Sequence, residues 1–220
     1  MSNRDQELTR ALAADLLRIG AVALRPNEPF TWASGRKAPV YCDNRLTLSY
    51  PDVRLMITEG LLAHTEANYY EAVDVIVGTA TAGIPQAALL AERLDLPMAY
   101  VRGQAKGHGK QNRIEGRIEP GQRVIVVEDL ISTGGSSLSA AEAIRDAGAE
   151  PVAVFSIFTY GFEVAQRAFD AAGIRLITLT DFDTLIGVAV ETGSLTDEEV
   201  LILLNWRADA AAWSRVHGGA

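Results

Sequence analysis

Val124-Ile125-Val126-Val127-Glu128-Asp129-Leu130-Ile131-Ser132-Thr133-Gly134-Gly135-Ser136-Ser137 carries the pattern that decides the fold. An unbroken apolar run at 124–127 leads into two carboxylates. A loop of glycines and hydroxyls follows, and a helical pattern then runs over 136–147 to a stop at Gly148. A continuous apolar run is the mark of a strand buried on both faces. Glycines let successive backbone N–H groups turn toward one point. The start of a helix adds free N–H groups and a partial positive charge. A phosphate monoester fits such a cradle, with Thr133, Ser136 and Ser137 as further donors. The acids repel a phosphate and suit sugar hydroxyls and a hydrated Mg²⁺ instead. By composition alone the segment is also an ordinary strand–turn–helix connection. It lacks the Gly-Lys-Ser/Thr of a Walker A loop and the G-x-G-x-x-G of a dinucleotide fingerprint.

The same texture extends in both directions. Short apolar runs at 73–77, 98–101, 152–158 and 174–179 read as strands. Residues 84–94 and 162–172 read as helices between them. Pro51 suits a first helical turn, and Thr196-Asp197-Glu198-Glu199 looks like a capping box opening a last helix. Residues 3–19 form a further helical pattern. Residues 25–50 hold Pro26, Pro29, Gly35 and Pro39 among aromatics, which suggests a small irregular or β-rich flap. The expected fold class is therefore α/β: a doubly wound parallel sheet flanked by helices, with a small N-terminal flap. One compact domain is expected, with residues 1–50 as helix and flap and 51–220 as the core. Ligands in such folds bind beyond the carboxyl ends of the strands.

Of 220 residues, 48% are hydrophobic and 22% charged, and the net charge is −8. That balance disfavours general nucleic-acid binding, which needs a basic face. No apolar run approaches the roughly 18 residues of a membrane span, and the N-terminus is too polar for a signal peptide. A lone cysteine, Cys42, suits a reducing, cytoplasmic setting and reads as a packing residue. His64 and His217 lack metal-ligand spacing, and the tail at 217–220 reads as mobile.

Positive charge is concentrated in one place. Arg102, Lys106, Lys110, Arg113 and Arg117 stand against the single acid Glu115, among Gly103, Gly107, Gly109 and Gly116. The stretch reads as a mobile cationic lid for a leaving group that gains negative charge; a solvated surface loop is the plainer alternative. Gly78-Thr79-Ala80-Thr81-Ala82-Gly83 follows another strand with residues small enough for close backbone approach.

Glu-Asp-x-x-x-Thr-Gly-Gly-Ser at 128–136, after an apolar run, resembles the phosphoribosyl diphosphate signature of the type I phosphoribosyltransferases. Arg-x-x-x-Lys-x-His-Gly at 102–109 resembles the catalytic loop of the orotate phosphoribosyltransferase family. The flap from Phe30-Thr31-Trp32-Ala33-Ser34-Gly35 to Tyr41 resembles its Phe-Thr-x-x-Ser-Gly-x-x-Ser-Pro-x-Tyr motif. The resemblance implies that Glu128 and Asp129 hold the ribose hydroxyls. It implies that Leu130, Ile131, Ser132, Thr133, Gly134, Gly135 and Ser136 hold the 5-phosphate side of phosphoribosyl diphosphate, with Ser132 also touching orotate. Arg102, Lys106 and His108 are implied as catalytic residues that stabilise the departing diphosphate. Mg²⁺ is implied as cofactor, held mainly by substrate and water near Glu128 and Asp129. The catalytic loop of the family closes over the neighbouring subunit, which implies a homodimer. Loops like 78–83 often hold a non-proline cis peptide, here expected near Ala80–Thr81.

The chain departs from the family at Gly103, Ala82 and Ala33, where members carry lysine, and at Thr159, where an arginine binds orotate. Lys110, Arg36 and Arg45 are candidate replacements. Transfer of phosphoribose to orotate is the implied activity. Transfer to another base, and a non-enzymatic sensor of the diphosphate, are the alternatives.

Overall fold

The computed structural model describes residues 3–69, 72–103 and 113–220. Helix α1 (Asn3–Arg18) leads into a flap made of β1 (Val22–Leu24), β2 (Phe30–Thr31), β3 (Lys37–Ala38), β4 (Val40–Cys42) and a 3-10 helix (Asn44–Ser49). The core follows as α2 (Pro51–Tyr69), β5 (Val75–Thr79), α3 (Gly83–Leu94), β6 (Met98–Val101), β7 (Ile114–Glu115), β8 (Arg123–Ile131), α4 (Gly135–Asp146), β9 (Glu150–Thr159), α5 (Glu163–Ala172) and β10 (Arg175–Asp181). Helices α6 (Phe182–Glu191), α7 (Asp197–Ala208) and α8 (Ala210–Val216) close the chain.

The main sheet has the order β10-β9-β8-β5-β6-β7. Its pairs are parallel except for β6 with β7, which is antiparallel. Each central strand buries both faces, as its unbroken apolar run requires. Ile76, Ile125 and Phe155 point into a core shared with α1, α2, α3 and α6. Val75, Val77, Val124, Val126 and Val154 point into a second core under α4 and α5. The two-residue alternation of a strand thus divides the sheet between two helical layers. The chain runs outward from β5 to β6, then resumes on the other side of β5 with β8, β9 and β10. The order therefore reverses between β5 and β8, and the crevice at their carboxyl ends is where this fold binds ligands.

The flap is two small antiparallel ladders, β1 with β4 and β2 with β3. It docks through Trp32, which stacks on Tyr160 at 6.2 Å and meets Trp206 edge-on. The Trp32 indole N–H donates to the Val40 carbonyl at 3.2 Å. Tyr160, Phe162, Phe182 and Trp206 complete this aromatic cluster, which ties the flap to the end of β9, to α6 and to α7.

Several boundaries differ from those expected. Strand β8 does not stop at the acids but continues through Ile131, because its ladder with β9 runs on to Ile131 opposite Thr159. Strand β5 starts at Val75 rather than 73, since Asp74 turns aside to accept the Arg123 backbone N–H at 2.7 Å. The end of the basic stretch forms the edge strand β7. Helix α6 was not foreseen. The capping box is present, with both reciprocal bonds between Thr196 and Glu199. The expected mobile tail is instead bonded to the flap: the Ala220 N–H donates to the Gly35 carbonyl. His217 lies flat on Trp213 at 3.6 Å, and His64 is half-buried, edge-on to Phe155. Among the described residues no helix is long and apolar enough to cross a membrane.

Candidate active site

Two adjoining clefts occupy the crevice between β5 and β8, and both are lined by Ala80 and Ser136. The first, about 380 Å³, is walled by Cys42, Asp43, Arg45, Thr81, Glu128, Asp129 and Leu130 among others. The second, about 280 Å³, holds Thr79, Arg102, Gly103, Arg113, Gly135 and Ser139. The first cleft thus gathers the carboxylates, with Arg45 paired to Asp43, and the second gathers Arg102 and Arg113.

The acid pair sits on the last turns of β8 before the chain leaves the sheet. Glu128 is buried, while Asp129 is partly open. One Glu128 oxygen accepts the Asp129 N–H at 3.1 Å, and the other accepts the Ser137 hydroxyl at 3.2 Å. Ser137 is itself buried, so it holds Glu128 rather than offering a donor to a phosphate. From the flap, the buried Asn44 side-chain amide donates to the Asp129 carbonyl at 2.7 Å. Burial, then the charge of Asp129, pushes the Glu128 carboxyl up to about 8. Burial likewise raises Asp129. Two carboxyls held side by side in this way take up a proton when nothing positive faces them. Hydroxyl donors or a hydrated divalent cation would restore the ionised form, so the pair fits both. Among the described residues no group of three or more His, Cys, Asp or Glu is arranged to hold a metal.

After Ile131 the loop turns into α4. Gly134 adopts a left-handed φ of +80°, and a Cβ there would lie 2.8 Å from the Phe169 ring. The glycine is needed on both counts. Thr133, Gly135 and Ser136 are exposed at the start of α4, whose first N–H groups have no intrahelical acceptors. Ile131 differs from its neighbours. Its side chain is buried, and its carbonyl accepts from the Thr159 hydroxyl and the Tyr160 N–H. Leu130 faces the acid cleft, and Ser132 and Thr133 face a third cleft of about 260 Å³ that also contains Trp32, Arg36 and Lys37.

Across the crevice the Ala80–Thr81 peptide is cis, as expected. The Ala80 N–H donates to the Val101 carbonyl at 2.9 Å. At Gly83 a Cβ would press into the Val127 carbonyl and lie 3.2 Å from the Glu128 Cα. Only glycine lets α3 seat against the strand that carries the acids.

Arg102 reaches Glu115 at 3.3 Å. Its backbone N–H donates to the Arg113 carbonyl, and the Arg113 guanidinium donates back to the Arg102 carbonyl and to the Ser139 hydroxyl at 3.0 Å. Arg102 and Arg113 are thereby brought to one end of α4. Lys106, His108 and Lys110 lie outside the described residues. Asn44 was not singled out from sequence, while Ser137 reads there as a phosphate donor and Arg113 as one of five lid cations; their partners, Asp129, Glu128 and Ser139, correct those roles. Each acts through a partner distant in the chain, with no local motif to mark it.

The phosphoribosyl transferase domain family matches residues 53–180. An orotate phosphoribosyltransferase of Bacillus caldolyticus is 55% identical over 202 residues, 92% of this chain and 97% of that protein. The solved orotate phosphoribosyltransferase of Aeropyrum pernix is 31% identical with a TM-score of 0.71, covering 84% of this chain and 99% of that one. The Mycobacterium tuberculosis orotate phosphoribosyltransferase, solved with 5-phospho-α-D-ribosyl 1-diphosphate, is 27% identical with a TM-score of 0.62, covering 80% of this chain and 98% of that one.

Proposed function

The chain belongs to the orotate phosphoribosyltransferases, and from that premise we propose how its own residues perform the transfer of phosphoribose to orotate in pyrimidine synthesis. Glu128 and Asp129 accept hydrogen bonds from the two ribose hydroxyls. The exposed Thr133, Gly135 and Ser136, turned into place by the buried Gly134, cradle the 5-phosphate through N–H groups and hydroxyls, with Leu130 and the Ile131 backbone shaping the approach. The diphosphate lies toward Ala80, Arg102 and Arg113. The single observation that carries this assignment is the shared crevice itself: acids, phosphate cradle and cations adjoin at the β5–β8 reversal.

Attack by the base nitrogen on the anomeric carbon expels diphosphate through an oxocarbenium-like state. Catalysis is then mostly positioning and charge stabilisation. Arg102, Lys106 and His108 offset the charge that develops on the diphosphate. Glu128 and Asp129 would hold Mg²⁺ through water, and the ion would supply positive charge against the diphosphate oxygens. Arg102 serves the crevice of its own chain, while Lys106 and His108 are supplied to it by a second copy, so the working unit is a homodimer. The free thiol of Cys42 suits a reducing, cytoplasmic setting.

Orotate rests between Ser132 and the flap. Arg45 is engaged by Asp43 through two bonds, at 2.6 and 2.8 Å, beside the acid pair. Arg36 has no ion-pair partner among the described residues and opens on the cleft of Ser132. It is therefore the better candidate for the base carboxylate, in place of the residues that Ala33 and Thr159 lack.

A panel of free bases, each with phosphoribosyl diphosphate and Mg²⁺, tests the assignment through diphosphate release. Release with orotate alone is expected; release with another base and none with orotate would overturn it. In the same assay Lys106→Ala should lower kcat by about 10²-fold or more, the scale of losing a preorganised charge contact.

A further inference from the structure

We propose that residues 214–220 are a brace for the base-binding hairpin, and that Ser214 is a positioning residue for base recognition. The inference rests on the assignment of the flap to the base. Hairpin β2–β3 pairs only Phe30 with Ala38 and Thr31 with Lys37. Two pairs cannot hold a ladder in water without packing from elsewhere. Within the turn, the Trp32 N–H donates to the Arg36 carbonyl and the Gly35 N–H to the Trp32 carbonyl, both at 2.8 Å. Trp32 packs the foot of the hairpin on Tyr160 and Trp206, and the hairpin's outer edge is held from the far end of the chain.

Ser214, on α8, is 0% exposed. Its hydroxyl accepts the Lys37 N–H at 2.9 Å and donates to the Ala220 carbonyl at 2.9 Å. The Ala220 N–H then donates to the Gly35 carbonyl at 3.0 Å. Backbone positions on both sides of Arg36 are thus fixed by one buried hydroxyl and one returning strand of chain. Gly218, at φ +77°, turns the chain back, and the Gly219 N–H closes the turn on the Ser214 carbonyl at 2.9 Å. The seat is tight: a Cβ on Gly219 would lie 2.6 Å from the Lys37 nitrogen. The start of α8 also lines the cleft shared by Arg36, Lys37, Ser132 and Thr133. A shift of the brace would therefore move the flap cations relative to Ser132, while the acid pair and the diphosphate side stay anchored to the sheet.

Two variants test this: Ser214→Ala in the full chain, and a chain shortened after Val216. Steady-state constants for each substrate are read beside amide hydrogen exchange over residues 30–38 and the melting temperature. The brace predicts that KM for orotate rises about fivefold or more, the scale of one lost hydrogen bond. It predicts that KM for phosphoribosyl diphosphate stays within about twofold and that exchange over 30–38 quickens. Equal shifts in both constants, or an unchanged orotate KM in a folded variant, would overturn it. If the unaltered chain failed to turn over orotate, the base assignment would fall instead. Exchange over 30–38 would then still decide whether the brace exists.

Discussion

The side-chain amide of Asn44 donates to the backbone carbonyl of Asp129 across 2.7 Å, so the flap and the acid-bearing strand are joined at the point where chemistry is placed. Asn44 is 2% exposed. A buried donor removed from its acceptor leaves that acceptor short of a partner. Asn44→Ala is expected to cost about 1–3 kcal/mol of stability, read by urea denaturation, and to raise KM for phosphoribosyl diphosphate as the Asp129 turn loosens. Wild-type stability in this variant would show that the link carries no weight.

Gly83 makes the complementary contact from the other side of the crevice. A methyl there meets backbone rather than a yielding side chain, at Val127 and Glu128. Gly83→Ala should therefore destabilise the chain by about 1–3 kcal/mol or more, as overpacking does, and should depress activity beyond the loss of folded protein. Thermal melting and the active-site titre of the soluble fraction together separate the two effects.

Ligand binding at the acid pair is expected to release protons. In the free chain the Glu128 carboxyl is raised from 4.5 to about 8, chiefly by burial. Ribose hydroxyls and a cation favour the ionised form, so its affinity for the proton falls on binding. Binding of magnesium phosphoribosyl diphosphate near pH 7 should release protons and tighten as pH rises toward 8, with the effect lost in Glu128→Gln. Calorimetry in buffers of different ionisation enthalpy measures the release; proton uptake would contradict it. The sign for stability is the reverse. The folded chain holds the extra proton, so this contribution is full below pH 4.5 and lost as pH rises through about 8.

Arg36 and Arg45 should separate cleanly in kinetics. Arg36→Ala is expected to raise KM for orotate about tenfold or more, the scale of a hydrogen bond to a charged group. Arg45→Ala should change it by no more than about twofold, since Asp43 already engages that exposed guanidinium. The opposite order would move the carboxylate contact to the acid cleft.

The centre of the candidate site was legible as a motif because its information is local. Glu128 to Ser136 is contiguous, and the apolar run before it marks a strand buried on both faces. The cis peptide at Ala80–Thr81 also fell within a recognisable loop. What escaped is set by distant partners. Strand β8 runs past the acids because β9 supplies Ser156, Phe158 and Thr159 to pair with Glu128, Leu130 and Ile131. Ser137 looked like a phosphate donor, yet it turns inward to Glu128. The small, glycine-rich tail suggested mobility, and only the position of Lys37 shows why Ser214 is buried there. Arg113 counted as one charge among five until β7 placed it against Ser139.

A crystal structure of the chain with phosphoribosyl diphosphate and Mg²⁺ tests the central claim most directly. The 5-phosphate should lie within hydrogen-bond distance of the N–H groups at the start of α4, with both ribose hydroxyls on Glu128 and Asp129. A sugar phosphate bound anywhere else, with that turn left in contact with solvent alone, would contradict the account.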